Sequence, residues 1–67
     1  MSVARVTEIS ASSPKSFEDA VRIGIKRAGK TLENIKAAWI QEQSVVVDGD
    51  EVSEYRVNMK VSFILKD

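Results

Sequence analysis

Sixty-seven residues carry ten basic and ten acidic side chains, with no cysteine and no histidine. That excludes disulfide staples, thiolate zinc sites and imidazole chemistry. A formal charge of zero, with its cations spread along the chain, lacks the basic excess by which nucleic-acid binders neutralise phosphates.

No apolar stretch approaches the roughly 20 residues that cross a bilayer. The single early Arg5 has no apolar run behind it, so no secretory leader is read and a cytoplasmic location is expected. One domain, residues 1–67, is the ceiling for such a length. A chain this short buries only about 60% of its unfolded surface, which leaves self-association as the route to further burial.

Residues 3–9 are β-branched and partly alternating and predict a first strand. Ser10 to Pro14 reads as a turn. Ser16 is a good N-cap with Asp19 three residues later, so a helix is expected to start there and to end between Gly29 and Leu32. Phe17, Ala20, Val21, Gly24 and Ala28 form its apolar stripe, and Ile23 and Ile25 hint at a second buried flank. Two long strands follow, Ile35–Asp48 and Val52–Leu65, joined by a tight turn at Asp48-Gly49-Asp50-Glu51.

With Asp48 facing Glu51, a regular ladder sets Tyr55, Val57, Met59, Val61, Phe63 and Leu65 on one face with Ala38, Ile40 and Val46. That face suits the helix. Ile35, Ala37, Trp39, Gln41, Gln43, Val45 and Val47 then share the other with Arg56, Asn58, Lys60, Ser62 and Ile64, and Gln43 stands opposite Arg56. Fourteen residues at ~3.3 Å each give strands of roughly 45 Å. Ordinary scaling gives a chain of this length a radius of gyration near ~11 Å. One short helix cannot cover such a ribbon, so its second face is expected to pack against sister chains.

The order strand, helix, long strand, long strand resembles the dodecins, small proteins that assemble as hollow dodecamers. The resemblance is carried by Ser13-Pro14-Lys15-Ser16-Phe17-Glu18-Asp19-Ala20, Arg27-Ala28 and Thr31-Leu32-Glu33-Asn34-Ile35. It continues through Glu54-Tyr55-Arg56-Val57-Asn58-Met59-Lys60-Val61-Ser62-Phe63. It implies an α+β fold: a single β-α-β-β unit, a three-stranded antiparallel sheet wrapped around one helix, assembling as a hollow homododecamer. It also implies flavin (riboflavin, FMN or lumichrome) bound in pairs between subunits. Flavin-binding members stack a tryptophan on the ring and hydrogen-bond its pyrimidine edge with a glutamine.

Carried over by position, that tryptophan falls on Ala37 and that glutamine on Arg56. Trp39 lies two residues further, on the same strand face and displaced by ~6.6 Å. Another branch of the family lacks the stacking tryptophan and is described as calcium-binding. Glu42-Gln43 resembles that branch, although no calcium ligands transfer with it.

The cofactor-binding candidates are therefore Trp39, Arg56, Ala37, Gln41 and Gln43. Two readings of Trp39 stand side by side: stacking on a planar ligand, or plugging the space left by Ala37 against a neighbouring chain. Arg56 either meets a ligand or pairs with a carboxylate of another subunit. No constellation reads as nucleophile plus base, so no catalytic residue is expected. The acidic turn lacks the oxygen set of a calcium loop, so no metal ligand is expected within it. The expectation is a non-catalytic, flavin-sequestering homo-oligomer; the alternative is a structural oligomer that binds a cation, another cofactor or nothing small.

Overall fold

A computed structural model describes residues 3–65. The chain forms β1 (Val3–Ser13), α1 (Phe17–Ala28), β2 (Ile35–Asp48) and β3 (Glu51–Leu65). All three strands join one antiparallel sheet in the order β1-β3-β2, so β3 is central. This is the expected β-α-β-β unit.

β1 extends through Ser13, whereas the sequence reading ended the strand at residue 9 and made a turn of residues 10–14. The reason is the register: Ser10, Ala11, Ser12 and Ser13 pair with Asn58, Val57, Arg56 and Tyr55. A central strand in need of a partner overrides the turn propensity of serine.

The helix begins where the cap predicts. Ser16 is extended (φ −171°, ψ 166°), and its Oγ accepts a hydrogen bond from the Asp19 N–H at 2.9 Å. Regular helix ends at Ala28, but tight backbone bonds continue to Leu32, whose N–H donates to Ala28 O at 2.8 Å. The buried helix positions are Ala20, Gly24 and Ala28, four residues apart, so the stripe that meets the sheet is made of small residues. Gly24 is needed there for close approach: a Cβ on it would lie 2.5 Å from Met59 Cε and 3.0 Å from Ala11 Cβ.

Ala20, Val57, Met59 and Val61 form the buried core, with Ile9, Ala11, Phe17, Val21, Ile25 and Ile35 packed around them. Phe17 meets Tyr55 edge-on, with ring centroids 5.1 Å apart. Of the two off-stripe isoleucines, Ile25 joins this core while Ile23 is left 45% exposed.

The helix sits over β1 and β3. Beyond the Ser13–Tyr55 pair, β2 and β3 continue alone as a two-stranded ribbon. Its turn places Gly49 and Asp50 at φ 56° and 70°, the mirror-image turn that suits strand twist. The described chain measures 52 × 19 × 13 Å with a radius of gyration of 13.8 Å, well above that of an equally long compact chain.

The ladder is not regular. It starts with Asp48 on Glu51 as expected, then shifts between Val46 and Val47, between Ile40 and Glu42, and between Ile35 and Ala37. Each shift leaves one residue unpaired and moves part of a strand to the other face. The sequence reading assumed an unbroken ladder, so it mis-set several residues. Val46 pairs with Glu54 rather than joining the helix face, and Val45 pairs with Tyr55. Ile35 pairs with Phe63 and packs on the core instead of lying outside.

Candidate functional site

The sheet face turned away from the helix is the surface on which the sequence set its candidates. Its cross-strand rows follow from the pairing: Ser12, Arg56 and Ser44; Ser10, Asn58 and Glu42; Glu8, Lys60 and Trp39; Val6, Ser62 and Ala37. No helix covers these rows, and Trp39 and Val6 stand 47% and 49% exposed.

Ala37 and Trp39 fall where the sequence put them, opposite Ser62 and Lys60 on one face. The glutamines do not. Gln41 is the unpaired residue of a register shift, and downstream of it Gln43 pairs with buried Val57, which belongs to the helix side. Ser44, not Gln43, is the partner of Arg56. The two amides therefore do not join Trp39 and Arg56 in one polar cluster.

What surrounds Arg56 instead is a set of hydroxyls. A shallow pocket of about 390 Å³ is lined by Arg56 with Ser10, Ser12, Ser44 and Asn58. Ser10 Oγ donates to Asn58 Oδ1 at 2.6 Å, which fixes that amide. Arg56 Nη2 lies 3.8 Å from Glu54 Oε2 in a half-exposed pair, a loose contact that leaves the guanidinium free to turn to a ligand or another chain. Sequence reasoning missed the serines. Those of β1 were read as turn residues, although the Ser-x-Ser spacing of Ser10 and Ser12 is also the period of a strand face.

Trp39 and the Arg56 pocket are separate. Lys60, the partner of Trp39, lies four residues from Arg56 along β3, about 13 Å. A larger groove of about 420 Å³ runs between α1 and β1, lined by Ile9, Ile23, Arg27 and Leu32 among others, and holds none of the candidates. Among the described residues no group of three or more His, Cys, Asp or Glu side chains is placed to hold a metal ion. Among the described residues no helix is long and apolar enough to span a membrane.

One helix laid on a three-stranded antiparallel sheet, with the opposite face uncovered by that helix and carrying an exposed indole, defines a class of small α+β chains. The family model described as Dodecin matches residues 3–66, and the chain belongs to the dodecin family. The calcium dodecin of Mycobacterium tuberculosis is 35% identical to it over 66 residues, spanning 98% of this chain and 93% of that protein. The dodecin from Streptomyces davaonensis superposes with a TM-score of 0.95 at 33% identity, over 98% of this chain and 97% of its own. The crystal structure of the M. tuberculosis calcium dodecin, described as calcium chelating and as having a novel calcium-binding site, superposes at 0.83 with 33% identity, over 96% and 91%.

Proposed function

We propose that this chain is a cytoplasmic, flavin-binding and flavin-sequestering dodecin that works as a homododecamer and catalyses no reaction. The observation that carries the reading is Trp39: a 47% exposed indole on a sheet face that the helix leaves bare, beside the small Ala37. A residue of that size is seldom left half in water unless a ligand or a partner finishes its burial.

The residues present fit a flavin in outline. Trp39 would stack on the ring, and Ala37 leaves room beside it. The hydroxyls of Ser12 and Ser44 with the Arg56 guanidinium offer donors for the pyrimidine edge or the ribityl chain. Arg56 and Trp39 of one chain are too far apart to meet edge and face of the same ring closely, so the pairing of those contacts calls for two copies. Bound flavin supplies a photo-excitable ring. The chain's part is to hold it dry, restrict its access and quench it by stacking.

A cation-binding reading has its own support in the 35% identity to a calcium dodecin. Since no group of metal ligands forms among the described residues, that site would be built from carboxylates of several copies, with Glu42 on the outer face as one contributor.

Titrating purified protein into riboflavin, FMN and lumichrome tests the proposal. Stoichiometric quenching supports it. Unchanged emission with tens of micromolar protein, on a particle that takes up calcium in calorimetry, replaces it with the cation reading.

A further inference from the structure

Charge in this neutral chain is sorted by position. Residues 48–54 hold four carboxylates (Asp48, Asp50, Glu51 and Glu54) and no cation. Residues 26–36 hold Lys26, Arg27, Lys30 and Lys36 against the single Glu33. The first group lies at and just below the ribbon tip; of the second, Lys26 and Arg27 stand in the last turn of α1, Lys30 just past it and Lys36 at the start of β2.

These groups cannot meet within one chain. Gly24 lies over Met59, and the cations follow it along the helix away from the tip. Met59 is eight residues from Glu51 on β3, about 26 Å. That is several times the screening length of about 8 Å in physiological salt.

Their surfaces also match in polarity. At the tip, Val47 and Val52 pair across the ribbon and stand 61% and 46% exposed, flanked by Asp48 and Glu51. On the helix, a depression of about 200 Å³ has Ile23, itself 45% exposed, as its apolar element and Lys26, Arg27 and Lys30 around it. One is an apolar knob edged by carboxylates, the other an apolar floor edged by cations.

We propose that the acidic ribbon tip of one copy docks on the cationic depression of the next. The contact is head-to-tail, joining two different patches, so within a closed homo-oligomer its repetition closes a ring of copies. It rests on the self-assembly proposed above, but not on flavin binding. Its charge pairs speed encounter and set register, while Val47, Val52 and Ile23 supply the apolar burial.

Light scattering after size exclusion tests it on four chains: wild type, Asp48→Lys/Glu51→Lys, Lys26→Glu/Lys30→Glu, and all four substitutions together. Asp50 is spared because its φ of 70° forms the turn. Each reversal sets like charges face to face and is expected to raise the half-assembly concentration about tenfold or more. The four-fold variant, its charges exchanged, is expected to recover the wild-type particle. A native circular dichroism spectrum certifies each fold. The neutral pair Asp48→Asn/Glu51→Gln, which keeps the shape, is expected to make assembly far less sensitive to sodium chloride and decides the matter should a reversal unfold. Unchanged mass in both reversals, or native reversed chains that the exchange does not rescue, overturns the contact and leaves assembly standing. A monomeric wild type removes both.

Discussion

The hydroxyl of Ser13, a fully buried residue, donates to Asp19 Oδ2 at 2.6 Å across the corner between the first strand and the helix. Ser13 Oγ also accepts from the Lys15 N–H at 3.0 Å, and Asp19 is in turn bound through its own N–H to the N-cap Ser16. Three polar side chains thus satisfy the bend that lets the helix fold back over the sheet.

Removing the centre of that network leaves a carboxylate and a backbone N–H without their partner. Ser13→Ala is expected to cost about 2 kcal/mol. In a chain of this length that lowers the melting temperature by roughly 10 °C. Asp19→Asn keeps the shape and gives up the charge assistance, so about half that loss is expected. Thermal melts at one fixed chain concentration measure both, since assembly makes the midpoint concentration-dependent.

Gly24 and Met59 give a prediction whose sign is decided by magnitude. Glycine to alanine inside a helix ordinarily gains about 1 kcal/mol. Here the new methyl would sit 2.5 Å from Met59 Cε, the end of a flexible side chain that is fully buried, and 3.0 Å from Ala11 Cβ, which is fixed to the backbone of β1. Overpacking of that kind costs typically 1–3 kcal/mol. Gly24→Ala is therefore expected to destabilise, and the loss should shrink when Met59→Val removes the obstructing methyl. A double-mutant cycle on urea melts reads the coupling; a stabilised single variant refutes the close-approach argument.

Asn34 holds φ at 61° where the chain turns into the second strand, and its backbone C=O accepts from the Ile64 N–H at 3.1 Å. Asparagine tolerates that left-handed conformation better than other side chains with a Cβ. Asn34→Gly is expected to be close to neutral. Asn34→Ala, which cannot reach back to Ile64 O as the amide does, is expected to cost about 1–2 kcal/mol. Equal melting temperatures for the two variants would refute a conformational role.

How much of this was legible in the sequence depends on which force set each feature. Ser16, the hairpin turn and the strict alternation of Tyr55 to Leu65 are local signals, and the helix start, the turn and the central strand follow them. Ser10 to Ser13 have a turn's composition but lie in a strand, because only the unpaired edge of β3 could recruit them and that edge is not a local property. The face on which each candidate residue falls was legible only where successive register shifts cancel. Gln43 lost its place beside Arg56 to one unpaired residue, Ser53, between the Val46–Glu54 and Val47–Val52 pairs. Gln41, unpaired in its turn, restores the expected register, so Ala37 and Trp39 stand opposite the residues the ladder predicts. Neither bulge is marked by glycine or proline: Gln41 stands between Ile40 and Glu42, and Ser53 between Val52 and Glu54.

Trp39 separates the two readings of the outer face most sharply. If its indole stacks on flavin, Trp39→Ala removes a planar contact worth about 1–3 kcal/mol and leaves the sheet intact. Affinity for riboflavin should then fall about tenfold to a hundredfold with the particle mass unchanged, and Trp39→Phe should keep part of the binding. If the indole is instead a plug between copies, the same change opens a cavity at an interface. Assembly then weakens, and any flavin binding either persists or improves as the space beside Ala37 widens. Quenching titrations and light scattering on one preparation of each variant read the two quantities independently. The stacking role requires the first to move while the second holds still.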